Sequence, residues 1–274
     1  MKPNELLQQQ GVLTGNNGQN QPKEKTAKEK FVDYIEKNKE KLKEALPKVI
    51  NMNQYLHVIF NAINAKPELC ECTQFSFMAC VLQAATLGLE INSQTGESYI
   101  IPYFRRNPET GQGQYFAQFQ IGYRGLIKLA YNNEAVKDIF ASEVCENDLF
   151  RCVYGTNRTL YHEIDYTKDR GRTLGYYAQV RLKNGGEVFY YMTNAEIERH
   201  KQQYSQNSES QWSPWNTNYN EMAKKTVLRK VLKITPLNTM TAIGIGVDNN
   251  IGTENNIMKY ANEVQTPQLT SSKN

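Results

Sequence analysis

Lys225, Arg229 and Lys233 recur at i, i+4 and i+8, the spacing that puts side chains on one line of an α-helix. Ala223, Val227 and Val231 repeat the interval on another face. The segment therefore predicts a helix with one apolar face and one cationic rail. No acidic residue lies between Met222 and Val247. Two readings fit such a stripe: a solvated helix face, which is what most charge runs are, or a track that holds a polyanion. Ser213-Pro-Trp215 precedes the helix as a turn. Trp215 either stacks on a base or a neighbouring subunit, or anchors the helix by packing.

Residues that could make or break covalent bonds are sparse. Only His57, His162 and His200 occur, none beside a second ligand at metal spacing, and a structural role is expected of each. Gly-x-x-x-x-Gly-Lys-Ser/Thr is absent; Gly122-Tyr-Arg-Gly125 lacks the Lys-Thr that would cradle a nucleotide phosphate. Glu143, Glu146, Asp148 and Asp165 stand singly, whereas a two-metal nuclease needs converging acids. No Gly-x-Ser-x-Gly elbow occurs. Cys70 and Cys72 have no second pair to complete a zinc site. No catalytic residue, metal or cofactor is assigned.

The positioning elements come from a chain of 274 residues, 39% hydrophobic and 22% charged, enough for one large core. The net charge of +4 is mild, so any nucleic-acid function rests on where the charge sits. No secretory leader or bilayer-length apolar run is seen, and a reduced, cytoplasmic setting is expected. Residues 1–26, rich in Gln, Asn and Gly, predict a disordered tail. Residues 27–247 predict the core domain, and 248–274 a flexible tail suited to docking a partner.

Apolar periodicity predicts helices over 28–46, 52–63 and 73–87, the last with Thr73 as N-cap and Gly88 as C-terminal cap. The period then falls to two. Strands are expected at 99–105 and 114–121, joined by a loop of strong turn chemistry. This hairpin mixes Tyr103, Phe116, Gln114 and Gln118 with Arg105 and Arg106, although alternate aromatics on any strand pack inward. A helix over Gly122–Tyr131 carries Arg124 and Lys128. Strands dominate from 140 to 192, and a polar loop there holds Arg170 and Arg172. Thr193-x-x-Glu196 is a capping box opening a further helix. The fold class is α+β: a central antiparallel, hairpin-rich sheet against a core helix, with further helices.

One ordered set of motifs runs through these elements. It comprises Ser76-Phe-Met-Ala, Leu87-Gly-Leu89, Tyr99-Ile-Ile-Pro-Tyr103, Gln120-Ile-Gly-Tyr-Arg-Gly-Leu-Ile-Lys-Leu-Ala130, Asp148-Leu-Phe, Lys183-Asn-Gly-Gly186, Ser213-Pro-Trp215 and Glu221-Met-Ala-Lys-Lys-Thr-Val-Leu-Arg229. Any one piece is weak; in this order they resemble the RecT family of phage single-strand annealing recombinases, across residues 47–238. The resemblance implies an annealing-protein-like fold in a homo-oligomeric ring or helical filament. It implies ATP-independent pairing of single-stranded DNA through an annealed duplex intermediate. It also implies work beside a phage 5′-to-3′ exonuclease and the host single-strand DNA-binding protein, inside a bacterial cell.

On that reading Lys225, Arg229, Lys233, Arg124, Lys128, Arg170 and Arg172 track phosphates. Tyr103, Arg105, Arg106, Gln114, Phe116 and Gln118 touch bases or part strands. Rail and hairpin are expected to form two walls of one groove. A metal-dependent nuclease of a phage replication module and a passive single-strand binder are the alternatives.

Overall fold

Thr26 and Glu29 close a capping box at the start of α1 (Ala27–Lys37), and Asn38 separates it from α2 (Lys39–Ala45). The single helix expected here is thus two. Phe31, Ile35 and Leu42 are buried across both, so the apolar register survives the break. Asn51 caps α3 (Met52–Ala65). A 3₁₀ turn at Pro67–Glu71 leads to α4 (Gln74–Leu87), which runs from the Thr73 N-cap to a left-handed Gly88. The computed structural model describes residues 25–46, 51–91, 94–106, 111–205 and 213–239, with Ala242 and Gly246. The expected tails lie outside the described residues, apart from Lys25 and Thr26.

Strands β1 (Ser98–Arg106) and β2 (Gly113–Ile121) form an antiparallel hairpin in the register Ser98 to Ile121 through Arg106 to Gly113. One face buries Ile100, Ala117, Phe119 and Ile121 against α4. The first turn of α4 also covers the outer edge of β2. Ala117 N–H donates to Ser76 Oγ at 2.9 Å, and Thr73 N–H donates to the Tyr115 carbonyl at 3.0 Å. The Ala117 bond fixes the direction of the opposing main chain: Pro102, paired with Ala117, turns its backbone to the other, outer edge of the hairpin. A proline there removes a donor from that edge alone.

Helix α5 (Tyr123–Tyr131) leaves β2 directly, with Gly122 as N-cap. Gly122 N–H donates to the Glu97 carbonyl at 2.8 Å. A Cβ on Gly122 would lie 2.0 Å from the Gly96 carbonyl oxygen, and one on Gly125 2.0 Å from that of Glu97. The two glycines therefore let α5 close against the root of the hairpin, a packing role in place of a phosphate cradle.

The remaining strands are β3 (Val136–Cys145), β4 (Leu149–Val153), β5 (Thr159–Glu163), β6 (Thr173–Leu182) and β7 (Glu187–Thr193). All pairing between these strands is antiparallel. They form a three-stranded sheet, β3-β6-β7, and a separate β4–β5 hairpin, so the expected central sheet is divided among three. Helices α6 (Asn194–Tyr204), α7 (Pro214–Thr217) and α8 (Tyr219–Lys233) follow. The capping box at Thr193 and Glu196 opens α6 as the sequence predicts. Helix α8 packs on β6, β3 and β7, and Tyr176 donates its hydroxyl to Asn220 Oδ1 at 2.6 Å.

The β4–β5 hairpin covers the other face of that sheet. Phe150 packs between Tyr177 and Tyr191, with ring centroids 5.9 and 5.1 Å away. Beneath it lies a polar network. Arg170 grips Asp148 with two bonds, Nε to Oδ1 at 3.0 Å and Nη2 to Oδ2 at 2.8 Å, and its Nη1 donates to Glu143 Oε1 at 3.0 Å. His162 bridges Asp148 Oδ2 at 3.1 Å and the Tyr177 hydroxyl at 3.2 Å. The Arg170 bonds, then the Cys145 N–H and His162, hold the Asp148 carboxyl well below the usual carboxylate range against the opposing effect of burial.

The Asp148 side chain is only 1% exposed, so deleting it strands three polar partners, Arg170, the Cys145 N–H and His162. Asp148→Ala is expected to cost about 3–5 kcal/mol of unfolding free energy in urea titrations, and a loss below about 1 kcal/mol would show that this pair does not hold the hairpin down.

Candidate nucleic-acid interface

The rail is set by what lies beneath it. Ala223, Thr226, Val227, Leu228, Val231 and Leu232 are buried, which places the line Glu221, Lys225, Arg229, Lys233 along the flank of α8. Over those twelve residues the line is about 18 Å long. Its start meets the hairpin root: α5 packs on α8, and the Glu221 charge, after burial, helps raise the Tyr123 hydroxyl pKa. Lys224 pairs with Glu221 at 3.4 Å.

Its end meets α6. Burial and then the charges of Lys230, Arg229 and Lys233 push His200 down to about 4. Burial, Arg229 and Lys230 likewise lower Lys233. The charges of all three cations therefore reach the imidazole of His200, and they make the end of α8 a region of positive potential. Lys230 and Lys233 also occupy the last turn of α8, where the helix dipole favours positive charge.

The hairpin divides the nominated residues by face. Tyr103 opposes Phe116, Arg105 opposes Gln114 and Ile101 opposes Gln118. Five of the six nominees therefore share the face turned away from α4, with Tyr99 and Gln120 at its base; Gln120 Nε2 donates to the Tyr103 hydroxyl at 3.3 Å. Gln118 is buried, whereas Tyr103 and Phe116 are half-buried. Arg106 lies on the α4 side, at the exposed tip. Near it Phe104 and Tyr115 meet edge to face at 5.1 Å, 55% and 37% exposed.

The other nominees meet different fates. Arg124 is exposed beside the hairpin root. Lys128 donates to Glu97 Oε2 at 2.7 Å, tying α5 to that root. Arg170 spends its fork on Asp148 and Glu143, with its side chain 20% exposed. Arg172, two residues on, pairs with Glu146 but keeps a side chain 84% exposed. Trp215 is buried against Tyr219 with centroids 5.8 Å apart; it is a packing anchor, because neither ring face is open for stacking. Rail and hairpin are linked through α5, each resting on its own support: the sheet for α8, and α4 for the hairpin.

The sequence matches the RecT family over residues 53–261. This chain belongs to the RecT family. Protein RecT of Escherichia coli (strain K12) is 32% identical to it over 210 residues, 77% of this chain and 76% of that protein. The uncharacterized protein YqaK of Bacillus subtilis (strain 168) is 31% identical over 180 residues, 65% of this chain and 57% of that one. RecT membership supports a place in DNA recombination, through single-strand annealing and with a phage association. The matched span includes the hairpin, α5 and the rail; α1 and α2 precede it. Among the described residues no helix is long and apolar enough to cross a membrane.

From sequence alone Lys230 and Tyr204 have no expected role in the interface, and His200 only a structural one. The signals were a Lys next to a rail residue and a His-x-x-x-Tyr at one helical turn. His200 and Tyr204 are neighbours within α6, and Lys230 comes within electrostatic reach of His200 only through the tertiary fold.

The shift at His200 has a signed consequence. An unperturbed histidine titrates at 6.5 and His200 near 4, so between those values the unfolded chain holds the extra proton. Stability should fall as pH drops from 6.5 toward 4. In His200→Gln that part of the acid sensitivity should vanish, leaving the loss from Asp148 at lower pH. Urea midpoints across the pH series measure this, and an unchanged profile in the variant would rule out His200 as the titrating group.

Proposed function

We propose that this protein pairs complementary single strands of DNA without ATP, as a homo-oligomeric ring or helical filament. The convergent cations along α8, ending at His200, carry the reading. Free strands repel through their phosphates. Cationic side chains neutralise them and raise local strand concentration. Base pairing then supplies the free energy, on the order of 1.4 kcal/mol per stacked step. In this scheme the backbone follows Lys225, Arg229, Lys230 and Lys233. Arg124 extends the track toward the hairpin, and Arg172 lies on a separate loop as a further contact. Tyr103, Arg105, Gln114 and Phe116 offer flat and amide groups to bases or to the strand being parted, with Arg106 at the tip.

Residues 27–247 act as the annealing core and 248–274 as a docking segment for protein partners. Those partners are a phage 5′-to-3′ exonuclease, which makes the single strand, and the host single-strand DNA-binding protein, in the host cytoplasm. The rival nuclease reading draws no support from the carboxylates: Glu143 and Asp148 are both engaged by Arg170.

Annealing of fluorophore-paired complementary oligonucleotides, with no nucleotide added, tests the proposal. Strand pairing faster than the uncatalysed rate is expected; bound but unpaired strands would make the protein a passive binder, and strand loss with magnesium a nuclease. Replacing Lys225 or Arg229 by Ala should weaken binding on every sequence alike and flatten the log–log salt slope by about one unit each. The Arg105→Ala, Arg106→Ala double variant should lose at least as much annealing as binding. Wild-type annealing in that variant would remove the hairpin from the mechanism.

A further inference from the structure

His200 and Tyr204 stand one turn apart on α6, with ring centroids 4.6 Å apart and planes at 43°. Tyr204 is 65% exposed at the end of the helix. Such exposure serves no core, yet the phenol does not stand alone: its neighbouring ring is half-buried, and that ring lies within the field of Arg229, Lys230 and Lys233. One flat, supported, solvent-facing ring thus adjoins one cluster of cations. A ligand that alternates flat rings with anions would use both, and a nucleic-acid strand has that repeat.

We propose that Tyr204, backed by His200, is a base-stacking shelf that seats a nucleobase of single-stranded DNA while Arg229, Lys230 and Lys233 hold the adjoining phosphates. This rests on the annealing reading of α8 and adds a means of telling strand from duplex. Aromatic stacking takes hold of a base by its face, tolerates any sequence and leaves the pairing edge free. In a duplex both faces of each base are already covered by neighbours. Pairing would therefore withdraw the base from Tyr204, so the shelf favours the substrate over the product.

The test compares full-length wild type, Tyr204→Ala, Tyr204→Phe and the Lys230→Ala, Lys233→Ala double variant. Each is titrated with a labelled oligothymidylate, with the same strand carrying abasic sites, and with duplex, over a salt series. Tyr204→Ala should lose about fivefold or more in affinity for the oligothymidylate, the ordinary worth of one stacked base. Its salt slope should match wild type, and on the abasic strand it should bind like wild type. Tyr204→Phe should keep the affinity, and duplex binding should change less than single-strand binding. Wild-type affinity in Tyr204→Ala, or an equal loss on abasic and normal strands, would overturn the shelf. The double variant reports separately on the rail: an unflattened slope there beside an intact Tyr204 effect would move the phosphates off α8, while a flattened slope without a Tyr204 effect would leave the rail and remove the shelf.

Discussion

Helix α8 cannot rotate about its own axis. Ala223, Val227, Leu228, Val231 and Leu232 are all fully buried against the three-stranded sheet. Turning the helix by one residue, 100°, would carry branched side chains into water at about 1.5–3 kcal/mol each. The position of every rail cation is thereby decided by apolar packing on the opposite side of the same helix. Trp215 and the Tyr176–Asn220 bond fix its entry. A charged surface that must meet a repeating backbone gains its precision from the core, since long Lys and Arg side chains have little of their own.

This explains how much was legible. Local rules carried the helices and hairpins: the caps at Thr73 and Thr193, the period-3.6 stripe of α8, and the period-2 alternation that sorted five of six hairpin residues onto one face. Long-range partners were not legible. Arg170 and Arg172 sit two apart in one loop, look alike in sequence, and differ because Asp148 and Glu143 converge on the first only. Trp215 follows a turn and could equally have been open or closed until the packing of α7 decided it. The break at Asn38 and the division of the strands into three sheets depend on how elements dock, which no local pattern encodes.

The charge inventory carries a related lesson. A net +4 says little, because cations fall into two kinds. Lys128, Arg170, Arg172 and Lys224 have acidic partners and hold elements together or lie on the surface in ion pairs. Arg229, Lys230 and Lys233 lie together toward the end of α8, within the electrostatic reach of the half-buried His200. Like charges gathered in the last turn of α8 also answer the helix dipole.

Pro102 bears on a hazard that any strand-rich protein faces. Past Ser98, whose N–H donates to the Glu90 carbonyl at 3.1 Å, the outer edge of β1 pairs with no strand among the described residues, and an open edge is a template for a stray strand from another molecule. The missing donor at Pro102 falls midway along it, with Arg105 and Arg106 charging its far end. A foreign strand could not zip the full length without leaving one carbonyl unanswered. The gap at Pro102 therefore keeps this edge from seeding amyloid-like growth.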